Sequence, residues 1–347
     1  MQNYKDFIDI SWKVDEPTYR ADSALSYSTL ARFAREGFTS LSHLNDTLST
    51  PSLTFGSAVD SIITGGRKEF EEKFFIADFP DIPDSIIQIV KELFNRFGKE
   101  VFSLSDISTN IIIDIATENN YQNNWKPETR AKVIIEKGSA YYDILQLAGD
   151  KTIINLKTNQ LIENSVSALK DSEATKWYFA PDNAWGNIKR YYQLKFKTVH
   201  NDITYRCMAD LIIVDYENKV IYPIDLKTSS HNEWDFYQSF VQWRYDIQAR
   251  LYWRIIKDNM LHDEYFKDFK LADYQFIVVN KFNCIPLVWE FNETKAVGKL
   301  EFNDISLEDP YSIGEELSLY LKQNAIVPHG INLNNTNNIV EWLNKKK

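Results

Sequence analysis

The most regular pattern of hydrophobic and polar positions in this chain begins at Tyr191. From there onwards polar and apolar side chains alternate, which is typical of a half-buried strand. Residues 203–215 and 220–227 are dense in Val, Ile and Tyr, and a short polar turn precedes each of them. The pattern therefore predicts three consecutive strands of one sheet, with tight turns at 200–202 and 216–219.

Apolar residues with helical spacing occur on both sides of these strands. Residues 25–33 predict a helix capped by a serine, and residues 54–63 predict a second helix that ends at a pair of glycines. After the strands, residues 236–257 predict another helix. Residues 274–279 and 285–291 predict two more strands, which would complete the sheet.

The middle of the chain has the weakest pattern. Short helical patterns rich in Asn and Lys run through 67–188, which we interpret as a mainly helical insertion or lobe. Residues 1–66 would form an N-terminal helical part of the core, 189–325 its sheet and remaining helices, and 326–347 a peripheral tail. The predicted fold class is α/β, with a central sheet flanked by helices.

Composition narrows the class of protein. Of the 347 residues, 44% are hydrophobic and 25% charged, as in ordinary globular chains. The two cysteines provide neither a disulfide framework nor a CxxC pair, which favours a reducing compartment. The start of the chain lacks a signal-peptide pattern, and no apolar run approaches the ~20 residues that span a bilayer. We therefore expect a soluble, cytoplasmic protein without a membrane partner.

The formal net charge of −10 argues mildly against a protein that coats nucleic acid, because such proteins are usually basic. It does not exclude an enzyme that grips DNA through a local basic groove. Acidic clusters that hold metal ions would also lower the total charge.

Two carboxylates and a lysine lie on the predicted hairpin. If Glu217 and Asn218 are the central loop residues, positions whose numbers add up to 435 lie opposite each other. Asp210 then faces Asp225, with Cβ atoms roughly 5 Å apart. Lys227 lies two residues beyond Asp225, so its side chain emerges on the same face of the sheet.

Carboxylates this close repel each other unless a cation lies between them. A divalent metal ion and Lys227 are the natural occupants, and the apolar neighbouring strands favour a buried site. The alternative is a surface pair of aspartates that the lysine neutralises. A similar tetrapeptide, Asn-Leu-Lys-Thr, occurs at 155–158, but Asn155 is neutral and a poor ligand for a hard cation, so we assign it no catalytic role.

Further candidates lie on two of the predicted helices. Asp60 lies on a largely apolar stripe, where a buried carboxylate would need a partner or a metal ion; the alternative is a position at the solvent edge. Gln248 and Tyr252 lie one turn apart on a single helix face. Arg244 is one of three arginines that supply positive charge along the same helix.

These residues resemble a known set. Asp210, then Asp225-Leu226-Lys227, then Gln248-x-x-x-Tyr252 resemble the PD-(D/E)XK nuclease superfamily, in the QxxxY branch of RecB-type nuclease domains and phage recombination exonucleases. Near the N-terminus, 25–30 and 55–59 resemble the RecE (exonuclease eight) catalytic domain. The combination is more specific than any of its parts, and the resemblance covers about 24–66 and 190–260.

The resemblance implies a restriction-endonuclease-like fold with a central mixed β-sheet. It implies that Asp210 and Asp225 bind Mg²⁺ or Mn²⁺, with the Leu226 carbonyl and Asp60 as further ligands. Lys227 would act in catalysis. The family usually has His where this chain has Asp60, which could change the metal preference, and often Glu where it has Gln193.

The same resemblance implies that Gln248, Tyr252 and Arg244 contact DNA. The leading hypothesis is a metal-dependent exonuclease that resects linear duplex ends for recombination in a bacterial or phage-infected cell. It could form a homo-oligomeric ring and work with a single-strand annealing protein. The alternatives are an endonuclease or single-strand-specific nuclease of the same superfamily, and a nuclease fold without activity that binds DNA or assembles with other proteins.

Overall fold

The structure is a computed structural model that describes residues 4–46, 50–79, 82–182, 184, 186–232, 234–302 and 305–326. The chain forms two compact units. The core unit comprises Met1–Leu48, Leu169–Asn280 and Ile285–Lys347, and the helical unit comprises Ser49–Ala168 and Lys281–Cys284. The sequence had grouped residues 49–66 with the core, whereas by their contacts they belong to the helical unit.

The α-helices of the described residues are, in chain order, α1 (Glu16–Ala21), α2 (Tyr27–Glu36), α3 (Pro51–Thr64), α4 (Gly66–Lys73), α5 (Asp84–Phe97), α6 (Thr109–Glu118), α7 (Pro127–Ala148), α8 (Leu156–Asp171), α9 (Phe236–Gln242), α10 (Tyr245–Leu261) and α11 (Pro310–Ile326). The strands are β1 (Phe74–Ala77), β2 (Thr152–Asn155), β3 (Ile188–His200), β4 (Ile203–Asp215), β5 (Val220–Ser229), β6 (Lys270–Leu271), β7 (Tyr274–Asn280), β8 (Pro286–Phe291), β9 (Leu300–Phe302) and β10 (Ile305–Leu307). Among the described residues, no helix is long and apolar enough to cross a membrane.

The core unit is built on a mixed sheet of six strands with the order β3-β4-β5-β7-β8, and β6 also pairs with β5. The pairs β3–β4, β4–β5 and β7–β8 are antiparallel, whereas β5 and β7 are parallel. A parallel pair needs a long crossover connection, and α9 and α10 provide it. The α/β class with a central mixed sheet flanked by helices is confirmed.

The β3–β4 hairpin turns at the predicted residues, and the β4–β5 hairpin has the predicted register. Asn201 and Asp202 both have positive φ, as a two-residue turn between β3 and β4 requires. At the second turn Leu211 lies opposite Ile224, and the numbers of all paired residues of β4 and β5 add up to 435. The paired residues end there, so Asp210 and Asp225 occupy the next position along the two strands.

The strands fork at this point. On the N-terminal side of Leu211, β4 still pairs with β3 but, among the described residues, no longer with β5. Further along, Leu25 occupies that edge instead, through hydrogen bonds with the backbone of Thr204 and Arg206. Helix α2 begins two residues after Leu25, so the N-terminal segment reaches the same fork.

A change in the pleat coincides with the fork. Gln193 on β3 has a φ of 55°, and it lies where Asp210 would be its partner on β4. On β4 the residues that face the main core are odd-numbered before Asp210 and even-numbered after it, namely Tyr205, Cys207, Ala209, Ile212 and Val214. The distortion therefore takes Asp210 out of the regular alternation.

Helix α10 packs on this sheet face. Its residues Ile247, Leu251, Ile255 and Ile256 are among those buried in the hydrophobic core of the core unit. Its other side carries Arg250, which is fully buried and donates hydrogen bonds to three backbone carbonyls and to Asp309. Arg254 also pairs with Asp309. Because every donor finds an acceptor, these buried charges hold the segments around residues 296–309 against the helix.

The predicted single helix over 236–257 is wrong in one respect, because it breaks at Trp243 and Arg244. Arg244 adopts a left-handed conformation with φ 56° and ψ 47°, and α10 starts directly after it. The second helix of the N-terminal region ends at Gly65 as predicted. Of the predicted tail 326–347, Ile326 is the last residue of α11 and the rest lies outside the described residues.

The helical unit has its own hydrophobic core, formed mainly by α5, α6 and α7. Its sheet consists of β1 and β2, which are parallel and pair from Phe74–Thr152 to Ala77–Asn155. Helical spacing predicts a helix over 69–75, and α4 covers it as far as Lys73, after which β1 begins at Phe74. A mainly helical lobe is nevertheless what the patterns of this region indicated.

Candidate active site

The fork between β4 and β5 brings Asp225 and Lys227 together on one face of β5. Their carboxylate and ammonium groups form an ion pair through Asp225 Oδ2. The Asp225 side chain is 2% exposed and that of Lys227 17%. The surface pair of aspartates considered from sequence is therefore not what forms, because this carboxylate is buried.

The second oxygen of Asp225 has a partner from the crossover helix. Gln248 Nε2 on α10 donates a hydrogen bond to Asp225 Oδ1, and both residues are buried. Gln248 therefore lies beside Asp225, and its contact with DNA stays a prediction. The carbonyl oxygen of Gln248 is buried and has no hydrogen-bond partner among the described residues.

Asp210 closes the fork from the β4 side. Its Oδ2 accepts a hydrogen bond of 2.9 Å from the backbone N–H of Leu226. The N–H and C=O of one strand residue point to the same side of the strand, so the Leu226 carbonyl also faces the fork. Asp210 is partly exposed, in contrast to Asp225.

The charge of Lys227 is stabilised by this arrangement. Burial alone would lower the pKa of Lys227, but the negative charges of Asp225 and Asp210 outweigh it and raise that pKa above its ordinary value. The lysine therefore keeps its proton over the whole physiological pH range. It balances part of the repulsion between the two carboxylates.

Aromatic side chains surround these groups. The ammonium of Lys227 lies 4.8 Å from the centroid of the Tyr245 ring, a favourable cation–π distance. Tyr27 from α2 makes ring contacts with both Tyr245 and Tyr252, at 6.3 and 6.5 Å. Tyr252 also contacts Tyr274 of β7 at 6.2 Å.

The tyrosines make the surroundings of the site poorly hydrated. Burial, followed by the nearby negative charges, raises the pKa values of Tyr252 and Tyr274 well above normal, so both phenols stay protonated. The Tyr274 hydroxyl is buried and has no hydrogen-bond partner among the described residues. A low local dielectric of this kind strengthens every charge interaction at the fork.

Three of these aromatic residues were not singled out from the sequence. Tyr27 lies in the segment that resembles RecE, and Tyr245 lies three residues before Gln248, hence on a neighbouring part of the same helix face. Those spacings could have pointed to both. Tyr274 had no signal, because the sequence does not reveal which later strand pairs with β5.

The remaining candidates differ in their surroundings. Arg244 uses its guanidinium for a two-point ion pair with Asp246, which is fully buried. Arg250 and Arg254 are occupied by Asp309. These three arginines therefore stabilise the fold of the core unit, and a DNA contact by Arg244 stays a prediction.

Asp60 lies on α3 of the helical unit and is half-buried. Its role as a metal ligand also stays a prediction. Among the described residues, no three His, Cys, Asp or Glu side chains are grouped closely enough to hold a metal ion by themselves. The oxygen donors that the fork does bring together are those of Asp210, Asp225 and the Leu226 backbone.

This donor set suits a hard divalent cation. Mg²⁺ binds to one or two carboxylates and keeps several of its waters, so two aspartates and a carbonyl are sufficient protein ligands. The buried, unpartnered carbonyl oxygen of Gln248 lies beside Asp225 and could accept a hydrogen bond from such a water. Lys227 is the group that a metal ion would have to displace from Asp225 Oδ2.

No protein-family model and no curated protein matches this chain. Among solved structures it is similar to a protein from Eubacterium rectale named "Putative exonuclease". The two are 13% identical, the match covers 90% of this chain and 84% of the other, and the TM-score is 0.41. A likeness at this level carries no argument about function, which has to come from the geometry at the fork.

Proposed function

We propose that this protein is a metal-dependent deoxyribonuclease that hydrolyses DNA phosphodiester bonds. The observation that carries the proposal is the convergence of Asp210, Asp225 and Lys227 at the fork, with Gln248 bonded to Asp225. These residues come from β4, β5 and α10, and the order in which they occur is that of the nuclease motifs they resemble.

Asp210, Asp225 and the Leu226 carbonyl would hold Mg²⁺ or Mn²⁺. The bound ion would supply an acidified water and would neutralise charge on the phosphate. The resemblance implies Asp60 as a further ligand, and this role stays a prediction. A carboxylate there would favour hard cations more than the histidine of related motifs.

The protein groups have separate tasks. Lys227, released from Asp225, would donate hydrogen bonds to the attacked phosphate and stabilise the negative charge that develops on it. Gln248 would keep the Asp225 carboxylate in one orientation through its amide group. Tyr252 lies on the same helix face and would contact the sugar-phosphate backbone, which positions the strand without reading its sequence.

Linear duplex DNA is the substrate that we favour, with digestion from an end. This choice rests on the residues that resemble recombination exonucleases, as do the proposed homo-oligomer and the proposed cooperation with a single-strand annealing protein. An endonuclease with the same catalytic residues is the closest alternative.

The test uses one DNA sequence in two forms, linear duplex and covalently closed circle. Each is incubated with the full chain in Mg²⁺, Mn²⁺ or EDTA, and the products are separated on a gel. We expect degradation of the linear form only, and only with a metal ion. Nicked circles would instead support an endonuclease, and intact DNA under both ions would refute the proposal.

A further inference from the structure

A second, unassigned group of residues lies beside the tyrosines of the candidate site. Trp243 occupies the break between α9 and α10, and it is 40% exposed. The guanidinium of Arg35, from the end of α2, lies over its indole ring at 5.1 Å from the centroid. We propose that Trp243 and Arg35 bind an unpaired nucleotide of the strand that enters the candidate active site. This inference rests on the proposed function.

The backbone that carries the exposed indole is held in place on both sides. The Tyr27 hydroxyl donates a 2.7 Å hydrogen bond to the backbone carbonyl of Trp243. The next residue, Arg244, is fixed in its left-handed conformation by the two-point ion pair with Asp246. Single exposed apolar residues are common and need no explanation. An exposed indole on a fixed stretch of backbone, with a guanidinium over its ring, is a more specific arrangement.

The arrangement also continues to the catalytic groups. Tyr27 contacts the Tyr245 ring, and that ring lies 4.8 Å from the Lys227 ammonium. Trp243 is thus connected to Lys227 by three successive contacts, through the rings of Tyr27 and Tyr245. A strand whose phosphate reaches Lys227 would therefore extend toward the indole over its next few nucleotides.

Arg35 has donors left for a phosphate. Within the described part of the chain its ion pair is a long one, 3.9 Å to Glu36, and the other oxygen of Glu36 already bonds to His43. By contrast, Arg32 on the same helix donates to two backbone carbonyls, and Arg244 is committed to Asp246. A guanidinium is suited to bind phosphate through two parallel hydrogen bonds.

The chemistry of the pair identifies the class of ligand. An indole face stacks with any nucleobase, and an arginine beside it adds both a stacking plane and a charge, which is how proteins bind single strands without sequence preference. A paired base inside a duplex has no free face to offer. The site therefore suits a single-stranded or frayed end, and it would make the enzyme insensitive to base sequence.

The test measures binding in EDTA, where no cleavage occurs. A fluorescently labelled oligothymidylate and a labelled blunt duplex of equal length are titrated with the full chain, and anisotropy gives the two dissociation constants. We expect Trp243→Leu and Arg35→Gln each to weaken single-strand binding about tenfold, as the loss of one stacked base does, and to weaken duplex binding much less. Trp243→Phe should recover most of the affinity.

Matched controls are available in the chain. Trp125 is 41% exposed and lies in the helical unit, so Trp125→Leu removes an equally exposed indole. Arg20 lies over the Tyr19 ring at 5.9 Å, so Arg20→Gln removes a comparable cation–π pair. Both should leave single-strand affinity within twofold of the wild type. Circular dichroism melting shows whether each variant is folded.

Two results would overturn the inference. One is unchanged single-strand affinity in folded Trp243→Leu, and the other is an equal loss on duplex and single strand. An absence of single-strand binding by the wild type would overturn it as well. Cleavage is measured separately, so an inactive protein that still loses affinity on Trp243→Leu would refute the nuclease proposal while leaving the nucleotide site in place.

Discussion

Two nearly identical tetrapeptides, Asp225-Leu226-Lys227-Thr228 and Asn155-Leu156-Lys157-Thr158, have different structures in this protein. The first continues along β5, beyond the fork with β4 and paired with β7. In the second, Asn155 is the last residue of β2 and Leu156 the first of α8. The Asn155 side chain accepts a 2.7 Å hydrogen bond from the Thr158 N–H, as an N-cap does.

The lysines differ accordingly. Lys227 is half-buried and paired with a carboxylate, whereas Lys157 is exposed. In the strand, Asp225 and Lys227 are two residues apart and share a face. At the second tetrapeptide the strand ends at Asn155 and a helix begins at Leu156, so Asn155 and Lys157 do not share a strand face. The comparison teaches that the tetrapeptide becomes a chemical site only where the strand continues and another helix covers it.

The largest expected effect comes from exchanging the first residues of the two tetrapeptides. Asp225→Asn removes a negative charge that the proposed metal ion would need, and we expect a loss of nuclease rate of ~10³-fold, as for other groups that stabilise charge in the transition state. Asn155→Asp should keep the rate within twofold, because a carboxylate is an equally good cap. Initial rates on linear duplex under Mg²⁺ measure both. Equal loss in the two variants would contradict the site assignment.

The lysine pair should give the next largest effect. Lys227→Met keeps the length of the side chain but removes its charge, and we expect roughly a 10²-fold lower rate on linear duplex. Lys157→Met is the control and should be neutral. The comparison would fail if Lys227→Met, checked as folded by circular dichroism, kept the wild-type rate under saturating metal.

The ion pairs that hold α10 and α8 should contribute differently to the free energy of unfolding. Arg250 holds α10 through a buried pair with Asp309 and hydrogen bonds to three backbone carbonyls. Arg250→Met leaves those carbonyls without this donor and Asp309 with Arg254 alone as an ion-pair partner in the described part of the chain, so we expect a loss of about 3–5 kcal/mol in the free energy of unfolding. Helix α8 is tied by Arg67 to Glu163, a partly exposed pair, and Arg67→Met should cost only about 0–1 kcal/mol.

Urea unfolding, followed by far-UV circular dichroism, measures both changes. The chain has two units, and each can unfold in its own transition. Arg250→Met should shift the transition of the core unit, and Arg67→Met that of the helical unit. A similar cost for the two arginines would show that the buried cluster does not support α10 in the way its hydrogen bonds indicate.

The most local expected effect concerns the cap at Asn155. Asn155→Ala removes the acceptor for the Thr158 N–H, and we expect about 1 kcal/mol less stability at the start of α8, with no change in nuclease rate. Hydrogen exchange of the α8 amides measures the local opening. Unchanged protection in the first turn of α8 would show that water replaces the cap without cost.

Much of the core sheet could be predicted from the sequence. The bounds of β4 and the register of the β4–β5 hairpin were both predicted. The length of the turn determines which residues pair, and the buried face excludes a shift by one residue. The strand β1 was missed because its four residues are too few to show a period.

Tertiary contacts decided the break between α9 and α10. The sequence shows helical spacing through 236–257, and arginine is an ordinary helix former. The left-handed conformation of Arg244 is stabilised by its ion pair with the buried Asp246, a contact that spacing does not reveal. The same break exposes Trp243, so the proposed nucleotide site was also invisible from the sequence.

The sequence by itself determined the α/β class, the hairpin and the closeness of Asp210, Asp225 and Lys227, because these follow from local periodicity and a short turn. Only the tertiary structure decided which of the two tetrapeptides is enclosed. Gln248, Tyr274 and Leu25 reach the fork from distant parts of the chain, and such contacts depend on how whole elements pack rather than on local residue patterns. That packing buries Asp225 and leaves Asn155 as a helix cap.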